Sequence, residues 1–338
     1  MPSPLPLVLS LMCGQLVIGA NVLILASFSG SNWIRLASIG EALHDRKHSI
    51  TVLTPENNLQ RIQSYGRGRG LTFRTYKSEG AAIATTMDKI NKQFWKGSKL
   101  EQFIGFSKVV EDWIQFCVNM LDNTDVAKSA AQFDIVLAEG AEICGSILPL
   151  VHRLPSVVVI GPFNTFIGKF GVPSPIAYVP STDSELTDDM DFWDRTLNSL
   201  YYIRWLVFLY FADSSRRSAL SHHLLEIVLS AAESKVDLVL VNRDYALDFP
   251  GRTNPNVINI GGIAAQPASA LTDELESFMV SSGDHGVILF SLGTYSGSMP
   301  AHLAELFAGV FSQLPQKVLW KLTGETPPNL GVNTRMMK

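Results

Sequence analysis

Residues 21–53 read NVLILASFSGSNWIRLASIGEALHDRKHSITVL, in which an apolar run, a helical stretch and a second apolar run follow one another. The helical stretch begins after the turn at 28–31 and brings Trp33, Leu36 and Gly40 to one face. The flanking runs are continuously apolar, which indicates strands of a parallel sheet that is covered on both faces. This stretch therefore predicts one complete β-α-β unit.

The same pattern recurs along the chain and predicts a second unit near its end. The helix of that unit carries Leu303, Leu306 and Val310 on its predicted apolar face. Strands that alternate with helices place the protein in the α/β class, and we predict two doubly wound parallel-sheet domains. The predicted strands lie at 21–27, 50–53, 134–138, 156–160, 236–241, 257–260, 287–291 and 317–321.

Composition excludes several classes of protein. The chain has 338 residues, of which 46% are hydrophobic and 17% charged, with a formal net charge of −4. It contains no long basic run, so a nucleic-acid partner is not expected. The seven histidines show no metal-ligand spacing, so no metal site is predicted.

The first twenty residues differ from the rest of the chain. Residues 5–20 form an apolar stretch that is too short to span a bilayer and ends in the small residues Gly19 and Ala20. This pattern predicts a cleaved secretory signal at 1–20. The alternative is a buried strand that continues into 21–27.

The cysteines allow two interpretations. Cys13 would leave with the signal, so Cys117 and Cys144 would remain in an oxidising lumen. These two cysteines form either a disulfide or a pair of buried free thiols, because sequence alone does not give their separation.

One long apolar segment, 197–212, carries a single charge at Arg204. It is short for a membrane span. We expect a buried helix, or a helix that lines an acceptor pocket. The alternative is a helix that rests on a membrane surface with an exposed face of Tyr, Trp and Phe side chains.

Several segments are specific enough to suggest a family. Residues 285–294, HGVILFSLGT, resemble the opening of the C-terminal domain of UDP-glucuronosyltransferases. The other segments that resemble this family, in the same order along the chain, are SGSNW at 29–33, KHSITVL at 47–53, FDIVLA at 133–138, LPS at 154–156, VINIGGI at 257–263, LPQKVLWK at 314–321 and LGVNTR at 330–335.

The resemblance implies a GT-B-like fold of two Rossmann-like domains, the second truncated. Residues 21–262 would form the acceptor-binding domain, 263–285 a linker, and 286–338 the opening of the UDP-sugar-binding domain. The family transfers sugar with inversion and uses the UDP-sugar as co-substrate, without metal or cofactor, because backbone amides and a helix N-terminus carry the diphosphate charge. The chain is expected to lack the family's long donor signature and membrane anchor.

The resemblance also assigns residues to the acceptor side. Asn32 stands where the family has its catalytic base, a histidine, and Glu139 stands where an aspartate orients that histidine. An amide has no accessible basic lone pair, so Asn32 is not expected to act as a general base. Ser31 and Trp33 flank this position and are expected in the acceptor pocket.

On the donor side, Ser291, Gly293 and Thr294 lie at the carboxyl end of the first strand of the predicted second domain, where the start of a helix would offer backbone amides to a diphosphate. Lys321 ends the next strand and would face the uracil or a phosphate, whereas Trp320 is expected in the core.

These observations predict a UDP-glycosyltransferase in the endoplasmic reticulum lumen or secretory pathway. It would transfer a hexose or hexuronic acid to a small lipophilic acceptor. One alternative is a non-catalytic relative that binds acceptors or forms an oligomer with family members. Another is an incomplete product of a partial gene model. Neither the sugar nor the acceptor follows from the sequence.

Overall fold

The structure is a computed structural model and describes residues 19–27, 30–78, 91, 95, 98–161, 168–173, 175–181, 184–220, 233–249, 251–293 and 299–337. The chain divides into two compact units. The first contains residues 1–80 and 113–264, and the second contains 81–112 and 265–338. The residues of the predicted signal at 1–18 lie outside the described ranges.

The first unit contains a sheet of parallel strands, which confirms the predicted α/β class. The strand order is β3-β2-β1-β4-β5-β6-β7. The strands are β1 Asn21–Leu25, β2 Ser49–Pro55, β3 Thr72–Tyr76, β4 Ile135–Glu139, β5 Ser156–Ile160, β6 Leu238–Val241 and β7 Val257–Asn259.

Helices alternate with these strands, as the periodicity predicts. Ile24, Trp33 and Val52 are completely buried where α1 packs on β1 and β2. The helices are α1 Ser31–Asp45, α2 Glu56–Gln63, α3 Lys99–Asp122, α4 Thr124–Ala130, α5 Cys144–His152 and α6 Phe192–Leu220, with a short 3₁₀ turn at Gly168–Phe170. Of α3, residues 113–122 belong to this unit and residues 99–112 to the second unit.

A disulfide joins α3 to α5. Cys117 and Cys144 are bonded in the structure, with their Cα atoms 5.3 Å apart and 27 residues between them in sequence. Both residues are fully buried. The bond therefore fixes the N-terminus of α5, directly after the carboxyl end of β4.

The apolar segment at 197–212 lies within α6, but most of its described large side chains are exposed. Leu200, Ile203, Tyr210 and Phe211 all face solvent, with Tyr210 73% exposed. The expectation of a buried helix is therefore wrong for these side chains. The helix is apolar on several faces, so one contact face leaves the others uncovered.

A polar residue anchors α6 instead. Asn198 is completely buried, donates to the carbonyls of Ile176 and Val179 at 2.8 and 2.9 Å, and accepts from the Ser181 N–H at 2.7 Å.

Among the helices that the structure describes, none is long and apolar enough to cross a membrane.

The second unit contains a parallel sheet of order β10-β9-β8, formed by β8 Val287–Ser291, β9 Lys317–Lys321 and β10 Thr334–Met337. Besides residues 99–112 of α3, this unit contains the helices α7 Asp273–Val280 and α8 Ala301–Phe311. Thr272 caps α7 by accepting the Leu275 N–H at 3.4 Å. Trp320 lies in the core, as expected, and packs against Phe290 and Phe311.

The predicted apolar face of α8 is wrong. Leu306 and Val310 are exposed, whereas Ala304, Ala308 and Phe311 are buried. Small side chains let the helix approach the sheet closely, and Phe311 fills the remaining space. Residue size at the contact, rather than the largest aliphatic side chains, decides which face meets the sheet.

Candidate active site

The candidate site lies where the chain reverses its direction of travel across the first sheet. From β1 the chain continues to β2 and β3 on one side, and β4 begins the other side next to β1. In open parallel sheets, ligands bind beyond the carboxyl ends of the strands at such a switch point. The residues that follow β1 and end β4 are therefore the first candidates.

The first turn of α1 carries Asn32 to this edge. Gly30 precedes the helix with φ of +70°, a left-handed conformation that favours glycine. The Gly30 carbonyl accepts the Ile34 N–H at 3.1 Å and so starts the helix. Asn32 lies in this first turn with its side chain half-buried.

Arg35 connects Asn32 to Glu139. Its Nη2 atom donates to Asn32 Oδ1 at 2.8 Å and to Glu139 Oε1 at 3.1 Å, and both ionic side chains are only 8% exposed. The structure thus brings together the two residues that the sequence predicted. Sequence analysis missed Arg35, although a residue three positions after Asn32 shares its helix face.

Glu139 has both carboxylate oxygens engaged. Besides the Arg35 contact at Oε1, its Oε2 atom accepts the Ala141 N–H at 2.7 Å. Burial raises the pKa of Glu139, while the Ala141 N–H and Arg35 act in the opposite direction. Chemically, the cluster is a fixed ion pair with an amide attached, and neither Asn32 nor Arg35 can accept a proton.

A second buried carboxyl lies beside the first. Burial raises the pKa of Glu142 to about 7, hydrogen bonding from the Ser27 hydroxyl lowers it, and the charge of Glu139 raises it. Tyr76, at the end of β3, has its phenolic oxygen 3.4 Å from Ser27 Oγ, and burial raises its pKa. Sequence analysis missed Glu142, because its position shortly after the end of β4 was the only signal that the sequence offered for it.

The two predicted acceptor-pocket residues lie in different environments. Ser31 is exposed at the start of α1. Trp33 is 0% exposed and packs in the core, with its ring centroid 5.8 Å from that of Phe73. In this structure Trp33 supports the helix from beneath and has no surface that faces a pocket.

The predicted donor residues lie at the carboxyl ends of β8 and β9 in the second unit. Ser291 and Lys321 are register partners on these adjacent strands, and both are exposed. Gly293 has φ of +75°, and its N–H donates to Ser291 Oγ at 3.4 Å. Thr294 lies outside the described residues.

Within the residues that the structure describes, no group of three or more His, Cys, Asp or Glu side chains could hold a metal ion.

Comparisons with known proteins find curated relatives that match along almost the whole chain. Rat UDP-glucuronosyltransferase 1A8 is 30% identical, covering 100% of this chain and 65% of its own length. Rabbit UDP-glucuronosyltransferase 2C1 is 32% identical, covering 93% and 65%. The chain thus spans about 65% of the length of these curated relatives.

Solved structures share the fold at low sequence identity. A UDP-glucosyltransferase from Polygonum tinctorium, described as capable of glucosylating indoxyl, matches with a TM-score of 0.55 and 13% identity, covering 95% of this chain and 72% of that one. The calicheamicin glycosyltransferase CalG4 matches with a TM-score of 0.53 and 14% identity, covering 95% and 71%. These neighbours are GT-B glycosyltransferases, which confirms the predicted fold class.

A family model described as UDP-glucoronosyl and UDP-glucosyl transferase matches residues 20–338. The match covers both units and every predicted site residue. The chain therefore belongs to the UDP-glucoronosyl and UDP-glucosyl transferase family.

Proposed function

We propose that this chain forms the acceptor-binding part of a UDP-glycosyltransferase that transfers a hexose or hexuronic acid to a small lipophilic acceptor. The observation that carries the proposal is the cluster of Asn32, Arg35 and Glu139 at the switch point of the first sheet. Its position is where an α/β sheet binds ligands, and its polar groups would orient the acceptor oxygen beside the sugar.

On the donor side, we propose that Ser291, Gly293, Thr294 and Lys321 contact the UDP-sugar. Ser291 and Lys321 are neighbours at the carboxyl ends of two parallel strands, and Gly293 turns the chain with a left-handed φ. These features support a diphosphate site.

The proposal is tested by titrating 1-naphthol, a neutral lipophilic phenol, into the full chain by calorimetry. We expect saturable binding that Asn32→Leu weakens several-fold, because the leucine removes the polar group at the switch point. Asn329→Leu is the matched control, since Asn329 is exposed in the second unit and donates to the Glu305 carbonyl. Absence of saturable naphthol binding would contradict the proposal.

A non-catalytic relative is the second candidate. It is favoured by the chemistry of the cluster, since Asn32 and Arg35 cannot remove a proton and both oxygens of Glu139 are engaged. Such a chain would bind acceptors or pair with another family member. Mass spectrometry on the full chain with UDP-glucose, UDP-glucuronic acid and naphthol separates the two, because naphthol binding without any glycoside favours the non-catalytic relative.

We also propose that the protein works in the endoplasmic reticulum lumen or secretory pathway. The buried disulfide between Cys117 and Cys144 supports an oxidising compartment. Thiol counting on denatured, unreduced protein from a secretory host should find neither cysteine free. Two free thiols would contradict this compartment.

Membrane contact through α6 is proposed for the same protein. Phe192, Trp193, Tyr210 and Phe211 are exposed aromatic side chains on this helix, which suit the interface between water and lipid. Co-sedimentation with phosphatidylcholine vesicles should fall when Tyr210 and Phe211 are changed to serine. Equal co-sedimentation of wild type and variant would contradict the contact.

A further inference from the structure

The direction of the Asn32 amide is fixed by Arg35. A guanidinium carries only hydrogen-bond donors, so the group of Asn32 that lies 2.8 Å from Arg35 Nη2 must be its carbonyl oxygen. The opposite orientation would set two donors against each other. The Nδ2 group therefore points away from Arg35 and is the hydrogen-bond donor that Asn32 can offer a ligand, while Oδ1 has one of its two lone pairs taken by Arg35.

This Nδ2 group is available at the site. It donates no hydrogen bond to any residue within the described ranges, and it is not among the polar atoms that are sealed from solvent. It lies in the first turn of α1, at the edge of the sheet where ligands bind. The site thus offers a hydrogen-bond donor where a general base would have to offer an acceptor.

We propose that Arg35 is a positioning residue that makes the site selective for acceptors whose nucleophilic oxygen is already anionic, namely carboxylates and acidic phenols. The proposal rests on the proposed function, because it names the acceptor class of that same site. Because Arg35 fixes the orientation of the Asn32 amide, Asn32 presents an N–H group to the acceptor.

The chemistry of the transfer step agrees with this selection. An anionic oxygen has several lone pairs, so one accepts the Asn32 N–H while another attacks the anomeric carbon of the UDP-sugar. The new bond forms as the bond between that carbon and the UDP oxygen breaks, and UDP leaves with the bonding electrons. No proton has to be removed, so the step needs no general base.

Neutral acceptors fit this site less well. A neutral alcohol or phenol has to lose a proton, and neither Asn32 nor Arg35 can take it. A neutral amine has a single lone pair, which it cannot share with the Asn32 N–H and donate to carbon at the same time. Only an anionic oxygen satisfies both demands.

The charges of the cluster are balanced before an acceptor binds. Arg35 is 7% exposed and forms an ion pair with Glu139, whose Oε2 atom also accepts the Ala141 N–H at 2.7 Å. Glu142 is a second buried carboxyl beside this pair. The preference for an anion therefore comes from the Asn32 N–H group, because a hydrogen bond to a charged acceptor is stronger than one to a neutral acceptor.

The first test compares two probes of the same shape, 2-naphthoate and the neutral 2-naphthamide, by calorimetry on the full chain at neutral pH. We expect naphthoate to bind about tenfold more tightly, because a hydrogen bond to a charged acceptor is worth more than one to a neutral group. Equal affinities would overturn the inference, while naphthol binding would still support the proposed function. If 1-naphthol, 2-naphthoate and 2-naphthamide all fail to bind, both the proposed function and the inference are contradicted.

The second test is Asn32→Asp, which keeps the size of the side chain and its contact with Arg35 but replaces the N–H group by an acceptor oxygen. We expect the preference for naphthoate to disappear or reverse. Asn329→Asp is the charge-matched control and should keep it, since Asn329 is exposed in the second unit. An equal loss of both probes in Asn32→Asp would indicate a merely structural role and overturn the inference.

The third test follows the affinity for 4-nitrophenol as pH rises, in Glu142→Gln as well as in wild type, because Glu142 lies beside the site and its pKa of about 7 falls in the same range. In wild type it should increase as the phenol itself ionises, and in Asn32→Asp this increase should be absent. Arg35→Lys keeps the positive charge near Glu139 and should keep part of the preference. A wild-type affinity that does not follow the ionisation of the phenol would overturn the inference.

Discussion

Strands of the same apolar pattern are buried to different extents in the two units. In the first unit, β1 and β4 are almost completely buried, and their carboxyl ends carry a cluster of ionic and polar groups. In the second unit, β8 is just as apolar in sequence, yet Leu289 is 71% exposed. Its carboxyl end carries the exposed Ser291, with exposed Lys321 as its register partner on β9.

This difference shows that a continuously apolar strand predicts coverage on both faces but does not supply it. In the second unit, α8 covers the face that carries Phe290, and the described residues leave the side chain of Leu289 on the opposite face uncovered. The first unit thus adds a buried ion pair and a disulfide to its large apolar core. The described apolar core of the second unit is smaller and is built around Phe311 and Trp320.

The largest effect should come from the buried ion pair. Arg35→Ala leaves Glu139 charged, buried and without its partner, which should lower the free energy of unfolding by about 3 to 5 kcal/mol. Denaturant unfolding of the full chain, followed by circular dichroism, measures this loss. The double variant Arg35→Met with Glu139→Leu should recover most of it, because no charge is then left unpaired.

The matching ion pair of the second unit should behave differently. Arg335 and Glu274 lie 2.9 Å apart, but Glu274 is 79% exposed. Arg335→Ala should therefore cost at most about 1 kcal/mol. Similar losses for Arg35→Ala and Arg335→Ala would contradict the contrast between the two units.

Most of the fold could be predicted because parallel strands in a covered sheet are continuously apolar. The strand β3 was missed, since its sequence, TFRTY, is largely polar and partly exposed at the edge of the sheet. The burial of α6 was predicted wrongly, because hydrophobicity alone does not show that a buried polar residue, Asn198, anchors that helix.

The disulfide should give the next largest effect. It closes a loop with a sequence separation of 27 residues, and reducing it should lower the stability of the first unit by about 3 kcal/mol. Thermal unfolding with and without reductant measures the change, and Cys117→Ser with Cys144→Ser should reproduce it. An unchanged midpoint would show that the bond adds no stability to the folded state.

Loss of the Glu142 proton should make the first unit less stable as pH rises. Burial raises its pKa from the ordinary 4.5 to about 7 in the folded protein, so the folded state binds the proton more tightly than the unfolded chain does. The stability that this proton contributes is fully present below about pH 4.5 and is lost as pH rises through about 7. Between about pH 5 and pH 8 the loss should be roughly 2 to 3 kcal/mol.

Glu142→Gln tests this assignment, because glutamine is neutral at every pH. Unfolding of the variant should depend less on pH than that of wild type, and the variant should be the more stable protein near pH 8. Glu276→Gln in the second unit is the control, since Glu276 is exposed in the first turn of α7. If both variants keep the wild-type pH dependence, another buried group is responsible.

The site itself could be predicted only in part. The resemblance points to Asn32 and Glu139, and both contact Arg35 in the structure. Arg35 itself is missed, because the periodicity of α1 draws attention only to its apolar positions. Glu142 carries no motif at all. Glu142 lies near Ser27 and Tyr76 because the carboxyl ends of β1, β3 and β4 are at the same edge of the sheet. The spacing of these residues in the sequence does not show that they are close in space.

The smallest effect should come from the exposed face of the second sheet. Leu289→Lys places a charge on a side chain that already faces solvent, so the free energy of unfolding should change by no more than about 0.5 kcal/mol. Leu289→Lys should also reduce binding of a hydrophobic dye, since it interrupts an exposed apolar surface. A destabilisation by Leu289→Lys of several kcal/mol, measured by denaturant unfolding, would show that this face is covered in solution.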